Sequence, residues 1–307
     1  ALGASAPAMK DGKEVGTYTV DETTGKVTFT PNKDFTGTAE PIVVQLIEKA
    51  TGKAIAGLKY TPTVTPVTPT GEDVTSTGKQ GKVQTGTPKF TEGDAEVPLK
   101  VDADQPAKFV VNGKTVEETT IDATKEGAKV GSYTIDPLTG EVTFTPNKDF
   151  VGTPDAVTVQ VKDENGTAAT AKYTPTVTAV TPTGEDVTST GKQGKVQTGI
   201  PKFTEGDVEV PLKVDSDQPA KFVVNGTAVD DTTIDATKDG AKVGTYTLDS
   251  LTGEVTFTPN KDFVGTPDAV TVQVKDENGK AATGKYTPTV TAVTPTGEDV
   301  TSTDVQG

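Results

Sequence analysis

Ala156-Val157-Thr158-Val159-Gln160-Val161-Lys162-Asp163-Glu164-Asn165-Gly166 is the stretch whose reading decides the fold. Apolar and polar residues alternate from Ala156 to Lys162, the period of a strand with one face buried and one wet. The Asn165-Gly166 pair that follows tolerates positive φ and marks a hairpin turn, with Ala168 to Val177 as the return strand. Working outward, Val97-Pro98-Leu99-Lys100-Val101 and Glu141-Val142-Thr143-Phe144-Thr145 alternate in the same way. A second Asn-Gly turn, Asn112-Gly113, follows Phe109-Val110-Val111, and Asp136 to Gly140 joins Tyr133–Ile135 to Val142–Phe144. Helical periodicity is nearly absent; one short helical turn is read at Asp122–Gly127.

About seven or eight short strands with turns every ~8–12 residues describe an all-β fold, a two-sheet β-sandwich that is Ig-like in the loose sense. Its core is expected to hold Val97, Leu99, Val101, Phe109, Val111, Ile121, Tyr133, Ile135, Val142, Phe144, Phe150, Val157, Val159, Val161 and Tyr173. Thr, which occurs 59 times, suits the outward faces because it is β-branched and water-compatible. An apolar content of 32% implies small cores.

The same sandwich is written more than once. Gly78-Lys79-Gln80-Gly81-Lys82-Val83-Gln84-Thr85-Gly86 returns as Gly191 to Gly199, an offset of 113, and residues 78–190 match 191–303 at 100 of 113 positions. A diverged and incomplete copy opens the chain: Tyr18 and Phe35 align with Tyr133 and Phe150, and Tyr60 with Tyr173. The expected organisation is a partial repeat at 1–66 (the C-terminal half of a unit), complete repeats at 71–178 and 184–291, and a linker with the start of a further repeat at 292–307. A period near 113 residues is too long for a solenoid and suits an independently folding domain. Thr174-Pro175-Thr176-Val177-Thr178-Ala179-Val180-Thr181-Pro182-Thr183, between copies, favours an extended, semi-rigid connection. The partial copy would expose core and edges, so it is expected to be poorly ordered or completed by neighbouring chain.

Composition removes whole classes of function. The 307 residues include no His, no Cys, no Trp and no Arg, so all 29 basic residues are Lys. Nucleophilic triads, haem, iron–sulfur clusters and ordinary zinc sites are thereby excluded, as is bidentate guanidinium recognition. A net charge of −15 and a pI near 4.5 repel nucleic acid and anionic membrane surfaces. No run is long and apolar enough to span a bilayer, and the start lacks a signal-peptide pattern. The chain reads as a segment of a larger protein.

Taken together, Gly78 to Asp94, Tyr133-Thr134, Thr139-Gly140-Glu141-Val142-Thr143-Phe144-Thr145-Pro146, Phe150-Val151-Gly152-Thr153 and Lys172 to Val177 resemble the repeat domains of CshA-type surface adhesins. The resemblance covers nearly the whole chain. It implies a tandem stalk from a cell-wall-anchored fibrillar adhesin of streptococci or related Gram-positive bacteria. In that family a non-repetitive N-terminal region is the better-known ligand-binding part, and numerous repeats project it. The implied setting is extracellular, at the cell wall, in host attachment, co-aggregation and biofilm. The implied partners are adjacent repeats and, through the parent protein, host matrix or other bacteria. The chain itself is expected to be monomeric.

Three sharper chemistries compete with this reading. An intramolecular Lys–Asn isopeptide bond would need a buried Lys beside an Asn and a carboxylate; the candidates are Lys100, Lys172, Asn112, Asn165 and Asn147, against ordinary surface Lys. Calcium would draw on Asp102 and Asp104, their copies Asp215 and Asp217, and the hairpin pair Asp163 and Glu164. Against this, no known loop spacing supplies the ~6–8 oxygens required, and the alternative is a solvated acidic turn. A catalytic carboxylate pair would be duplicated in every repeat, which suits a spacer better than an enzyme. The expectation is therefore no enzyme, no cofactor and no catalytic, cofactor-binding or metal residues. Passive spacing and weak, multivalent adhesion by the repeats remain as the two functional alternatives.

Overall fold

A computed structural model describes residues 5–307, and every regular element among them is a β-strand. The chain divides into two compact units. One holds the chain up to Ser76, Gln84–Phe144 and Pro154–Pro175; the other holds Thr77–Val83, Thr145–Thr153 and Thr176–Gly307.

The second unit contains a whole sandwich. Its larger sheet runs Val187–Lys192, Ala281–Thr291, Val270–Asp276, Lys221–Val224 and Thr227–Val229, with Leu212–Lys213 also paired to Val270–Asp276. The smaller sheet runs Gln197–Gly199, Val255–Pro259, Ala241–Leu248 and Thr233–Lys238. A short ribbon, Thr183–Glu185 with Lys202–Thr204, sits beside them. Between the sheets lie Phe222, Tyr246, Leu248, Val255, Phe257, Val270, Val272, Val274, Tyr286 and Val290, all buried. Tyr246 stacks obliquely on Phe257 at 5.2 Å and meets Tyr286 edge-on at 6.3 Å, geometries that favour aromatic pairs. Period-2 alternation produces this core directly: Val270, Val272 and Val274 point inward while Thr271, Gln273 and Lys275 do not.

In the first unit Phe109, Tyr133, Ile135, Val142, Phe144, Val157, Val159, Val161 and Tyr173 are buried, as the alternation predicts. Val97, Leu99, Val101, Ile121 and Phe150 are only half-buried, and Val111 is exposed. The Val97–Val101 stretch has a ladder only at Leu99–Lys100, with Val97 in a separate bridge to Asp94, because Pro98 has no N–H to donate between them.

The helical turn read at Asp122–Gly127 is not formed. Thr120–Lys125 is a strand paired with Ala128–Ile135. Glu126 and Gly127 make the hairpin turn at φ values of 52° and 81°, a tight turn whose hand matches the strand twist. Asn112-Gly113 is such a turn as well, at 52° and 76°. At Asn165-Gly166 only the glycine takes positive φ, at 88°, and the loop is wider, closed by Asp163 N–H donating to the Thr167 carbonyl.

The opening copy is ordered into strands, so of its two expected states poor order is not the one found. Ser5–Lys10, Lys13–Val20 and Val27–Pro31 form a sheet, and Ile42–Ile47 pairs with Ala54–Tyr60. The exposed core is nevertheless there: Leu46, Ile55 and Leu58 are 64%, 62% and 75% accessible.

One close approach was invisible in the sequence. A Cβ built on Gly199 would lie 2.4 Å from the buried ring of Tyr286, and Gly86 repeats the contact with Tyr173 at 2.3 Å. Gly199→Ala is therefore expected to cost about 1–3 kcal/mol through overpacking. Urea denaturation followed by near-ultraviolet circular dichroism checks this.

Candidate functional site

A half-open hollow of ≈ 390 Å³ lies in the first unit, beside Pro106, Val116, Pro137 and Leu138. Two of its charged lining residues pair with each other, Lys108 Nζ lying 2.5 Å from Glu117 Oε1.

The residues singled out for covalent or metal chemistry are not brought together. Lys100 Nζ sits at the surface 3.4 Å from Asp102 Oδ2, and Lys172 is exposed. Asn112 and Asn165 occupy turns, and Asn147 is exposed. Asp102 Oδ1 accepts the N–H groups of Asp104 and Gln105, each at 2.9 Å. The Gln105 N–H, with that of Asp104 and the Lys100 ammonium, holds the Asp102 carboxyl below the usual carboxylate range. Asp215 repeats this with Asp217, Gln218 and Lys213. These oxygens cap their own loops. Among the described residues no three carboxylates are grouped to hold an ion.

Asp163 and its copy Asp276 differ from every other acid in the chain. Both are fully buried. Asp276 Oδ1 accepts the N–H groups of Asn278 and Lys280 at 3.0 and 2.8 Å, while Oδ2 has no hydrogen-bond partner among the described residues. The strand period had already placed it: Val270, Val272, Val274 and Asp276 occupy one face. A carboxylate that ends an inward-facing row is buried by the alternation itself, and its cost is offset by the loop it organises.

That loop makes the most connected polar surface of the second unit. Asn278 Nδ2 donates to the Gln80 carbonyl at 2.8 Å, and Lys82 Nζ lies 2.6 Å from Glu277 Oε1. Lys148 Nζ donates to the Glu277 carbonyl at 3.4 Å. Lys79 pairs with Asp207 at 3.0 Å; the Glu209 N–H, followed by Lys79, keeps the Asp207 carboxyl low. Gln80 adds bonds from its side chain to the Lys148 carbonyl and the Val180 N–H. Residues 79–82 and 148 belong to one sequence repeat and 207, 277 and 278 to the next, so these contacts form a joint. The first unit holds its own version: Lys33 Nζ donates to the Glu164 carbonyl at 2.9 Å. Lys33 aligns with Lys148, and Glu164 with Glu277. The connecting chain is seated too, since a Cβ on Gly206 would lie 2.6 Å from the Thr181 backbone and one on Gly93 2.7 Å from that of Thr68.

The second polar cluster lies along the seam between Val187–Lys192 and Ala281–Thr291. Ser189 Oγ bridges Tyr286 Oη and Gln197 Oε1, each at 2.6 Å. Ser76, Tyr173 and Gln84 repeat it at 2.7 and 2.6 Å. Sequence reasoning missed both clusters. The available signals were the opposite charges of the Gly-Lys-Gln-Gly-Lys and Asp-Glu-Asn-Gly loops and their recurrence at one offset.

The chain matches the family of the surface adhesin CshA repetitive domain three times, over residues 4–64, 66–177 and 179–290. It belongs to that family. The joint and the seam are thus features of CshA-type repeats as this chain builds them. Among solved structures it is similar to mouse cadherin-23 EC22-24, at 13% identity over 90% of this chain and 82% of that one, with a TM-score of 0.32. Titin domains I67-I69, in an E-to-A mutated variant, give 10% identity over 95% and 89%, with a TM-score of 0.32. No curated protein matches the chain.

Two outcomes are expected. Asp276→Ala removes the acceptor of two N–H groups and should cost about 1–3 kcal/mol, seen as accelerated hydrogen exchange at Asn278 and Lys280. The second concerns Tyr133, Tyr173, Tyr246 and Tyr286, whose phenols burial pushes upward. Their ionised form is disfavoured in the fold, so stability holds below the unfolded value of about 10 and falls as pH rises beyond it. A spectrophotometric titration should show their phenolates emerging together with unfolding.

Proposed function

We propose that the chain is a stalk segment of a wall-anchored bacterial surface adhesin, projecting an adhesive region from the cell. The observation that carries this reading is the recurring joint. Lys33 with Glu164, and Lys148 with Glu277, make the same contact one repeat apart. A unit that carries its own coupling to the next is what a spacer needs, whereas a catalytic site gains nothing from verbatim duplication. We assign the repeats to 1–66, 71–178 and 184–291, with 292–307 leading onward, and the setting to the extracellular face of the wall.

Partners are then chiefly the adjacent repeats. Sheet edges are guarded against pairing with other copies: Thr233–Lys238 carries Asp235, Lys238 and a bulge after Ala236, and Gln197–Gly199 is only three residues long. Net charge of −15 adds repulsion between copies.

Small-angle scattering on the chain should give a radius of gyration well above the ~19 Å of a compact globule of this length. Immobilised host matrix and partner cells should not retain it. Saturable binding by the chain would replace the spacer reading with the multivalent-binder one.

A further inference from the structure

The seam in the second unit has a property that neither the family nor the stalk reading supplies. Val187–Lys192 leads the chain into the repeat and Ala281–Thr291 takes it out, and the two strands are paired in parallel. Val187 faces Tyr286, and the register continues through Ser189 against Pro288 to Lys192 against Thr291. The chain therefore arrives at one end of the ladder and departs from the other. Tension applied through the neighbouring chain pulls these strands past each other along their own axes. Every ladder bond is then loaded at once, over roughly 20 Å of paired strand. In an antiparallel hairpin pulled at its two ends, the bonds would instead open one after another.

We propose that each complete repeat is a force-bearing clamp whose resistance resides in this parallel seam. Val187–Lys192 is the edge strand, so it is the element that must slide, and its fastenings are dense. Ser189 Oγ is locked to Tyr286 Oη and to Gln197. Lys285 N–H donates to Asp186 Oδ1 at 2.8 Å just before the ladder starts. Thr291 Oγ1 donates to the Gly191 carbonyl at 3.1 Å, and Gln193 N–H to the Thr291 carbonyl at 2.9 Å, where it ends. Gln197 Nε2 ties the Thr289 carbonyl to the opposite sheet at 3.1 Å. Upstream, Gly184 packs so closely that a Cβ there would lie 2.2 Å from the Thr283 carbonyl oxygen. The departing strand cannot yield first, because it also pairs with Val270–Asp276 along its other edge and is pinned at Gly265–Val290. The fastenings recur in the first complete repeat. Ser76 bonds Tyr173, Lys172 N–H donates to Asp73, and Thr178 Oγ1 donates to the Gly78 carbonyl. Complete repeats in series each carry the whole tension, so the clamp is needed in both.

The inference rests on the stalk reading for its use in the cell, but its test does not. The chain has no cysteine, so introduced thiols give unique handles. Thr181→Cys with Val293→Cys, both at exposed positions, pulls the second repeat along its natural axis. Thr181→Cys with Lys280→Cys pulls the same two strands from one end, which peels the ladder. Optical tweezers on the full chain should show unfolding along the natural axis at roughly threefold or greater force than the peeling direction. Opening of residues 187–291 should release a contour length of about 360 Å in the first geometry. Adding Tyr286→Phe, which keeps the ring and removes only the hydroxyl lock, should lower the natural-axis force and leave the peeling force unchanged. Equal forces in the two directions would overturn the clamp. They would leave the stalk reading to stand or fall on scattering and binding.

Discussion

Closure of the repeat by its own two ends is the constraint on which the rest depends. The first long strand and the last are about a hundred residues apart in sequence, yet they share a ladder. Hydrogen bonding alone would make this a poor bargain, since closing so long a loop costs several kcal/mol before any contact forms. The seam is retained because it covers the aromatic centre. Gly199 admits the Tyr286 ring, Ser189, itself held by Gln197, satisfies its hydroxyl, and Tyr246 and Phe257 pack behind it. Folding is consequently dominated by distant contacts, a topology associated with slow, cooperative acquisition of structure.

Identical sequence shows how far the seam is tertiary in origin. Thr183–Thr190 and Thr296–Thr303 both read Thr-Gly-Glu-Asp-Val-Thr-Ser-Thr. The first supplies the ribbon and the start of the leading strand, with Val187 half-buried. The second has no regular structure, and Val300 is 92% exposed. The octapeptide holds the strand conformation where a closing strand is there to receive it. β-propensity set by Thr and Val permits the strand without imposing it.

Legibility in the sequence followed this division. Alternation fixed which residues of Val157–Asp163 and Val142–Pro146 face inward, so the aromatic and valine core was readable. Turn chemistry was readable where glycine was decisive, but Asp122–Gly127 misled because Glu126, a good helix former, takes positive φ here. Half-buried Val97, Leu99 and Val101 were overestimated because Pro98 leaves their stretch only a two-residue ladder. Asp163 was read as a solvated acid although its own strand period placed it inside; residue type outweighed register in that reading, and register was right. The joint and the seam depend on which loops meet, and no local pattern carries that.

The absent residues acquire a physical meaning from the seam and the joint. Cross-linking by disulfide is unavailable to a chain without cysteine, and guanidinium forks are unavailable without arginine. What remains is hydroxyl, amide, lysine and carboxylate chemistry, whose single contacts are weak and exchangeable. Exposed lysine–carboxylate pairs of the kind seen at Lys82–Glu277 contribute little individually and are screened by salt. Strength must then come from geometry: from bonds arranged to bear load together along the seam, and from small contacts repeated at every joint. A sequence that duplicates its loops verbatim preserves that geometry in each copy, because a weak fastening works only where its partners are all in register.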